Sequence, residues 1–193
     1  MKALLLCCSL LCGYLCIAQN VYYPIKPGTT YEMRFGEMYA QMSNSHARTV
    51  ITEDTKEIDG KTYTVVESQY GDGTNFKSVM KQYVRTDQGG NVWIASDYEK
   101  KAKLSFPAAD KLTKNYRWEV TIAGVTTEHR VLTTDGTFTI PGGKTFRNCL
   151  VVEQSQDGKP ITRTYTQREV GPVSVCMLED GQEKLMLYLS DKF

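Results

Sequence analysis

The chain has 193 residues, with 23 Lys+Arg against 22 Asp+Glu, only two histidines, and 41% hydrophobic residues. A near-neutral balance without basic clusters argues against nucleic acid or an anionic membrane surface as a partner. The length suits a single domain with a sizeable core.

Residues 1–18 read as a secretory signal peptide. Lys2 supplies the positive start, residues 3–17 an apolar run, and Cys16-Ile17-Ala18 a small-x-small end, so cleavage is expected between Ala18 and Gln19. The run is too short for a membrane span. Lipidation at Cys16 is the alternative, although Leu15 and Gly13 are the wrong residue types for it. The expected location is therefore periplasmic or extracellular, with a lipid-anchored form as the lesser alternative. Cleavage removes Lys2, which leaves the mature chain neutral. It also removes Cys7, Cys8, Cys12 and Cys16, leaving Cys149 and Cys176 of the six cysteines. A disulfide scaffold is excluded, and a single Cys149–Cys176 bridge stays open in an oxidising compartment. In a plain meander these cysteines would stand two strands apart, roughly 9.6 Å, beyond the ~7 Å Cα limit. A bridge would need another strand order; buried free thiols are the alternative.

Residues 19–193 read as one β domain. Residues 21–28 carry Pro24 and Pro27 and suit an extended edge segment. Strands are expected over 30–42, bent at Gly36, then 48–55 and 61–70 about an Asp59-Gly60 turn. Residues 76–84 place Phe76, Val79, Met80, Tyr83 and Val84 at helical spacing. Short length and flanking glycines favour a strand there, with a single helix as the alternative. Further strands are expected over 91–96, 100–106, 116–123, 126–133, 138–140, 145–154, 161–168, 172–178 and 183–189. Asp157-Gly158 and Asp180-Gly181 mark turns among them. About a dozen short strands with regular turn signals imply an all-β fold: a curved antiparallel sheet, half-barrel or sandwich, with at most one short helix. Ile25-x-x-Gly28-x-x-Tyr31-Glu32 is echoed by Leu112-x-x-Asn115-x-x-Trp118-Glu119. Gly and Asn most readily take left-handed backbone angles. The echo marks either two related sheet units or a chance match.

Catalytic constellations are not evident. His46 sits in a polar run and His129 between Glu128 and Arg130, neither with a ligand partner at metal-binding spacing. No spacing brings a histidine to Cys149 as a nucleophile would require. Glu53-Asp54 and Glu179-Asp180 flank turns. Gly142-Gly143-Lys144-Thr145 lacks the spacer of a phosphate loop and leads into a strand. No enzyme activity, metal or cofactor is expected. Tyr22, Tyr23, Tyr31, Trp93, Trp118 and Tyr165 are candidates to line a concave face and hold an apolar or glycan ligand; sheet packing is the competing role.

Residues 23–31 (YPIKPGTTY), 140–152 (IPGGKTFRNCLVV) and 169–173 (EVGPV) resemble the signatures of a family of secreted bacterial envelope proteins catalogued as a domain of unknown function, the TapB-like family. The resemblance implies a curved half-barrel akin to bacterial lipoprotein-carrier folds and no established activity. The expected function is that of an exported, non-enzymatic envelope protein that carries or binds an apolar ligand, a lipid or lipidated peptide. The alternative is an envelope protein–protein interaction or structural module with no small ligand.

Overall fold

The computed structural model describes residues 20–42, 44–97, 101–122 and 124–190. The expected signal peptide and its cleavage site between Ala18 and Gln19 lie outside the described residues.

Three turns set the pitch of the chain. Asp59-Gly60, Asp157-Gly158 and Asp180-Gly181 all take left-handed angles at both residues, with φ of 49° and 66°, 50° and 74°, 52° and 77°. Two successive left-handed residues make the turn whose twist matches that of antiparallel strands. The chain accordingly folds back on itself repeatedly. The strands are β1 (Thr30–Phe35), β2 (His46–Ile58), β3 (Lys61–Gly71), β4 (Phe76–Thr86), β5 (Val92–Ser96) and β6 (Lys103–Phe106), then β7 (Arg117–Ile122), β8 (Val125–Thr139), β9 (Thr145–Gln156), β10 (Lys159–Gln167), β11 (Gly171–Glu179) and β12 (Gln182–Leu189). Among the described residues these form one antiparallel sheet in the order β6-β5-β4-β3-β2-β1-β12-β11-β10-β9-β8-β7. The sheet is thus two six-stranded meanders joined where β1 pairs with β12, Met33 opposite Leu189. It curls into a nearly closed barrel. At the seam between the edge strands β6 and β7, the Trp118 indole N–H donates to the Ser105 carbonyl at 3.2 Å, and the Phe106 and Trp118 rings meet edge to face at 5.7 Å.

The interior is filled from both halves. Ile51, Val66, Val84, Val92 and Ile94 form one cluster, Leu112, Trp118, Val120, Val131, Leu150 and Val152 another, and Phe106 packs against both. Strand alternation puts Tyr63, Val65, Tyr83 and Ala95 into a separate buried cluster on the opposite face of the first half. Long cations cover that outer cluster. Lys56 Nζ sits 4.1 Å from the Tyr83 ring centre, and the Arg85 guanidinium lies over Tyr63 and Trp93. On the second half a row of charges drawn from β8, β9, β10 and β12 spans five strands: Arg130 to Glu153 at 2.8 Å, Glu153 to Arg163 at 2.9 Å, Arg163 to Glu183 at 2.8 Å. Glu153 is buried, so its pairing with two guanidiniums offsets its desolvation.

Several sequence expectations change in detail. The strand expected over 30–42 stops at Phe35, and Glu37–Met42 forms short 3₁₀ turns with a kink at Tyr39. A Cβ at Gly36 would overlap the Leu185 carbonyl, which fixes the chain reversal there. Residues 76–84 are strand, within β4. Ser68 pairs Met80 while Gln69 pairs Ser78, so Val79 is an inserted bulge residue. A bulge shifts the inward face by one residue, which turns an alternating pattern into one that mimics helical spacing. The separate strand expected at 138–140 is the end of β8. Residues 21–28 join no ladder and instead cross the end of the barrel. Cys149 and Cys176 are both buried and unpaired. Cys149 sits opposite Gln167 and Cys176 opposite Arg163 on the intervening β10, so the bridge left open by the sequence does not form.

The echo between residues 25–32 and 112–119 corresponds to a repeated device. Gly28 and Asn115 both take left-handed angles, φ 80° and 69°. Gly28 N–H donates to the Ile51 carbonyl and Ile51 N–H to Thr29; Asn115 N–H donates to Val131 and Val131 N–H to Tyr116, all at 2.8–2.9 Å. Ile51 and Val131 occupy matching places in the two interior clusters. Each half therefore begins with a cap segment, a left-handed residue, and an aromatic delivered inward, Tyr31 in one and Trp118 in the other.

Candidate functional site

The two cap segments, residues 20–29 and 107–116, close the same end of the barrel and meet at Asn20. This residue is fully buried. Its amide donates to the carbonyls of Gly90 at 3.0 Å and Pro107 at 2.7 Å, and its side-chain oxygen accepts from Tyr22 N at 3.0 Å and Tyr23 N at 3.2 Å. Every polar group of a buried amide is thereby used. Beyond it, Tyr22 turns towards the Trp118 cluster and Tyr23 towards the Ile51 cluster. The 20–29 cap is pinned at a second point, where Glu169 N–H donates to the Val21 carbonyl at 2.6 Å.

The caps differ in how closely they pack. In the second, Pro107, Ala108 and Leu112 are buried and Ala108 N–H is held by the Asn91 side chain at 3.1 Å. In the first, Lys26, Pro27 and Gly28 are exposed. Alongside it runs a half-open cleft of about 880 Å³, walled by the cap, by the start of β9 and by the β10–β11 turn. Phe146, Tyr31, Val21 and Val170 supply apolar surface; Lys26, Lys144, Gln167 and Glu169 supply the polar groups. An apolar recess of about 90 Å³ adjoins it, lined by Tyr23, Met33, Ile51 and Val66. Pro24 and Tyr31 line both.

Local geometry positions each wall. Gly142 and Gly143 take φ of 103° and 95°, which lets the chain reverse between Ile140 and Lys144 and sets Lys144 Nζ 5.0 Å from the Phe146 ring centre. Glu169 and Gly171 are also left-handed, φ 64° and 94°, and bring the β10–β11 turn against Pro24. Burial pushes the Tyr23 phenol up, with the neighbouring Tyr31 adding to it, and burial raises the Tyr31 phenol too. Both phenols stay neutral at physiological pH and act as apolar walls with a hydrogen-bonding edge.

The six aromatics singled out in the sequence do not share one surface. Tyr31 lines the cleft and Tyr23 the recess. Tyr22 and Trp118 belong to the interior cluster. Trp93 packs on the outer cluster and donates to Asp87 at 2.7 Å. Tyr165 meets Phe138 at a tilt, ring centres 4.8 Å apart, and places its hydroxyl on Glu183. The histidines are far apart in the sheet order. His46, on β2, meets Glu32 at 2.7 Å; His129, on β8, lies over Trp118 with ring centres 5.1 Å apart. No group of three His, Cys, Asp or Glu suited to a metal occurs among the described residues. Among them, too, no helix is long and apolar enough to cross a membrane. Sequence reading missed Phe146, Val170, Lys26 and Lys144 as site residues. Their signal lay in the three stretches 23–31, 140–152 and 169–173, which converge on the cleft from distant points of the chain.

No protein-family model matches the chain, and no curated protein matches it. Among solved structures the chain is similar to a protein from Bacteroides fragilis NCTC 9343 assigned as exported and described as having a YmcC-like fold. That match has 12% identity and a TM-score of 0.50, and covers 88% of this chain and 97% of the other. It is also similar to a protein from Parabacteroides distasonis ATCC 8503 assigned as a lipoprotein, at 12% identity and TM-score 0.51, covering 89% and 97%. At this identity the likeness concerns the fold.

Proposed function

We propose that the protein is an exported, non-enzymatic binding protein of the bacterial cell envelope, and that it holds an amphipathic ligand in the cleft beside the 20–29 cap. The observation that carries this reading is the cleft itself. In a barrel whose interior is filled by packed side chains, one end retains about 880 Å³ lined by apolar groups with a few polar ones, within the size range of small-molecule sites. Export is supported by the signal-like residues 1–18 and by the names of the two structural neighbours, one assigned as exported and one as a lipoprotein. A non-enzymatic role is in keeping with His46 on β2 and His129 on β8 standing far apart in the sheet order.

Native mass spectrometry of the mature protein, before and after incubation with an envelope lipid extract, tests this. An excess mass of a few hundred daltons, lost on denaturation and absent in a cleft-filling Thr145→Trp variant, is the expected result. A bare-chain mass under both conditions refutes the reading. Exposed Tyr70, Val79 and Met80 on the neighbouring strands β3 and β4 favour the second reading, an interaction module without a small ligand. A native mass at a multiple of the chain would support that one instead.

A further inference from the structure

We infer that the cleft is selective for an anionic amphiphile, a single carboxylate or phosphate head carried on an acyl-type tail. This rests on the binding role proposed above and goes on to the chemistry of the ligand. Two lysines and one carboxylate line the cleft, so its own charge is positive. Lys144 Nζ stands over the Phe146 ring, so a cation sits directly above the largest apolar wall. Lys26 is exposed on the opposing cap. An uncharged apolar ligand entering here would partly desolvate the two lysine heads without bringing a countercharge, which is unfavourable. An anionic head compensates that desolvation with charge-assisted hydrogen bonds. A cationic head would be repelled by both lysines.

The tail has a defined place. The cleft and the apolar recess share Pro24 and Tyr31 as lining residues, and the recess is bounded by Tyr23, Met33, Ile51 and Val66. A ligand anchored by its head near Lys26 and Lys144 lays its tail along Phe146, Val170 and Tyr31, with the chain end directed at the recess. The recess alone is too small for a ring system or a branched head, which selects a thin aliphatic end. The second cap packs more closely, with Ala108 and Leu112 buried, whereas Lys26, Pro27 and Gly28 of the first are exposed beside the cleft.

The test is titration calorimetry of the mature protein with decanoate and with decanol, which share a tail and differ in charge. Wild-type protein is expected to bind decanoate about tenfold more tightly, the scale of two partly exposed charge contacts. In a Lys26→Gln/Lys144→Gln variant the preference should fall to within about twofold, by weaker decanoate binding and equal or tighter decanol binding, with the melting temperature retained. Both lysines lie at the periphery, so the variant is expected to fold; Lys26→Arg/Lys144→Arg, which keeps the charge, should keep the preference. Equal wild-type affinity for the two probes overturns the anionic selectivity while leaving a binding cleft in place. Binding of neither probe overturns the selectivity, and coupled with a bare-chain native mass it removes the binding role as well. A preference for decanoate that survives in the Gln variant assigns the selectivity elsewhere and overturns the role of these lysines.

Discussion

Asn20→Ala should loosen the cap that walls the cleft without disturbing the sheet. The side chain makes four hydrogen bonds, to Gly90, Pro107, Tyr22 N and Tyr23 N. Tyr23 N–H keeps a second acceptor, the Asn20 backbone carbonyl at 3.2 Å. Two buried carbonyls, of Gly90 and Pro107, and the part-buried Tyr22 N–H therefore lose this partner. At about 1 kcal/mol each, the substitution costs about 3 kcal/mol. For a domain of this size that corresponds to a fall in melting temperature of about 6–12 °C. The more diagnostic readout is amide hydrogen exchange. Glu169 N–H, which donates to Val21, and the amides of residues 21–29 should exchange faster, while the β9–β10 and β11–β12 ladders keep their protection. If the melting temperature falls by less than about 2 °C and exchange over 21–29 and at Glu169 is unchanged, Asn20 does not hold the cap and the account of the cleft wall fails.

Two further predictions concern titrating groups. Burial raises the Cys149 thiol, and burial together with the neighbouring Glu183 carboxylate pushes Cys176 up to about 12. Native protein at pH 8 should expose no thiol to an aromatic disulfide reagent on a timescale of minutes, and both thiols should appear on denaturation without reductant; fewer than two would show a bridge. Burial against Trp118 lowers His129 to about 4, from an ordinary 6.5. Between those values the unfolded chain binds a proton that the native state refuses. His129 therefore leaves stability unaffected above pH 6.5, and stability falls as pH drops from 6.5 towards 4, by at most about 3 kcal/mol. In His129→Gln this part of the slope should disappear from denaturant melts run across the window, and an unchanged slope would assign it to other groups.

How much of this was legible in the sequence varies by element. The three Asp-Gly pairs specify their turns through local backbone sterics, so hairpin positions and the all-β class could be read directly. The echo of 25–32 in 112–119 was visible too, but open between related units and a chance match until the structure gave Gly28 and Asn115 the same left-handed angles and the same pair of hydrogen bonds. The ambiguity at 76–84 was also local in origin, since a bulge at Val79 scrambles the alternation that distinguishes strand from helix. The site was a different matter. Tyr31, Phe146 and Val170 are ordinary strand or turn residues in isolation, and Tyr165 and Trp93 look like equally good ligand-lining candidates. Which of them meet depends on β1 pairing with β12 rather than with an edge, and on a cap pinned by Asn20 and Glu169 over long sequence separations. Local chemistry thus determined the turns and the strands, because those depend on contacts within a few residues. Only the tertiary structure decided the barrel closure, the fate of the two thiols and the cleft, because each depends on register summed across many strands.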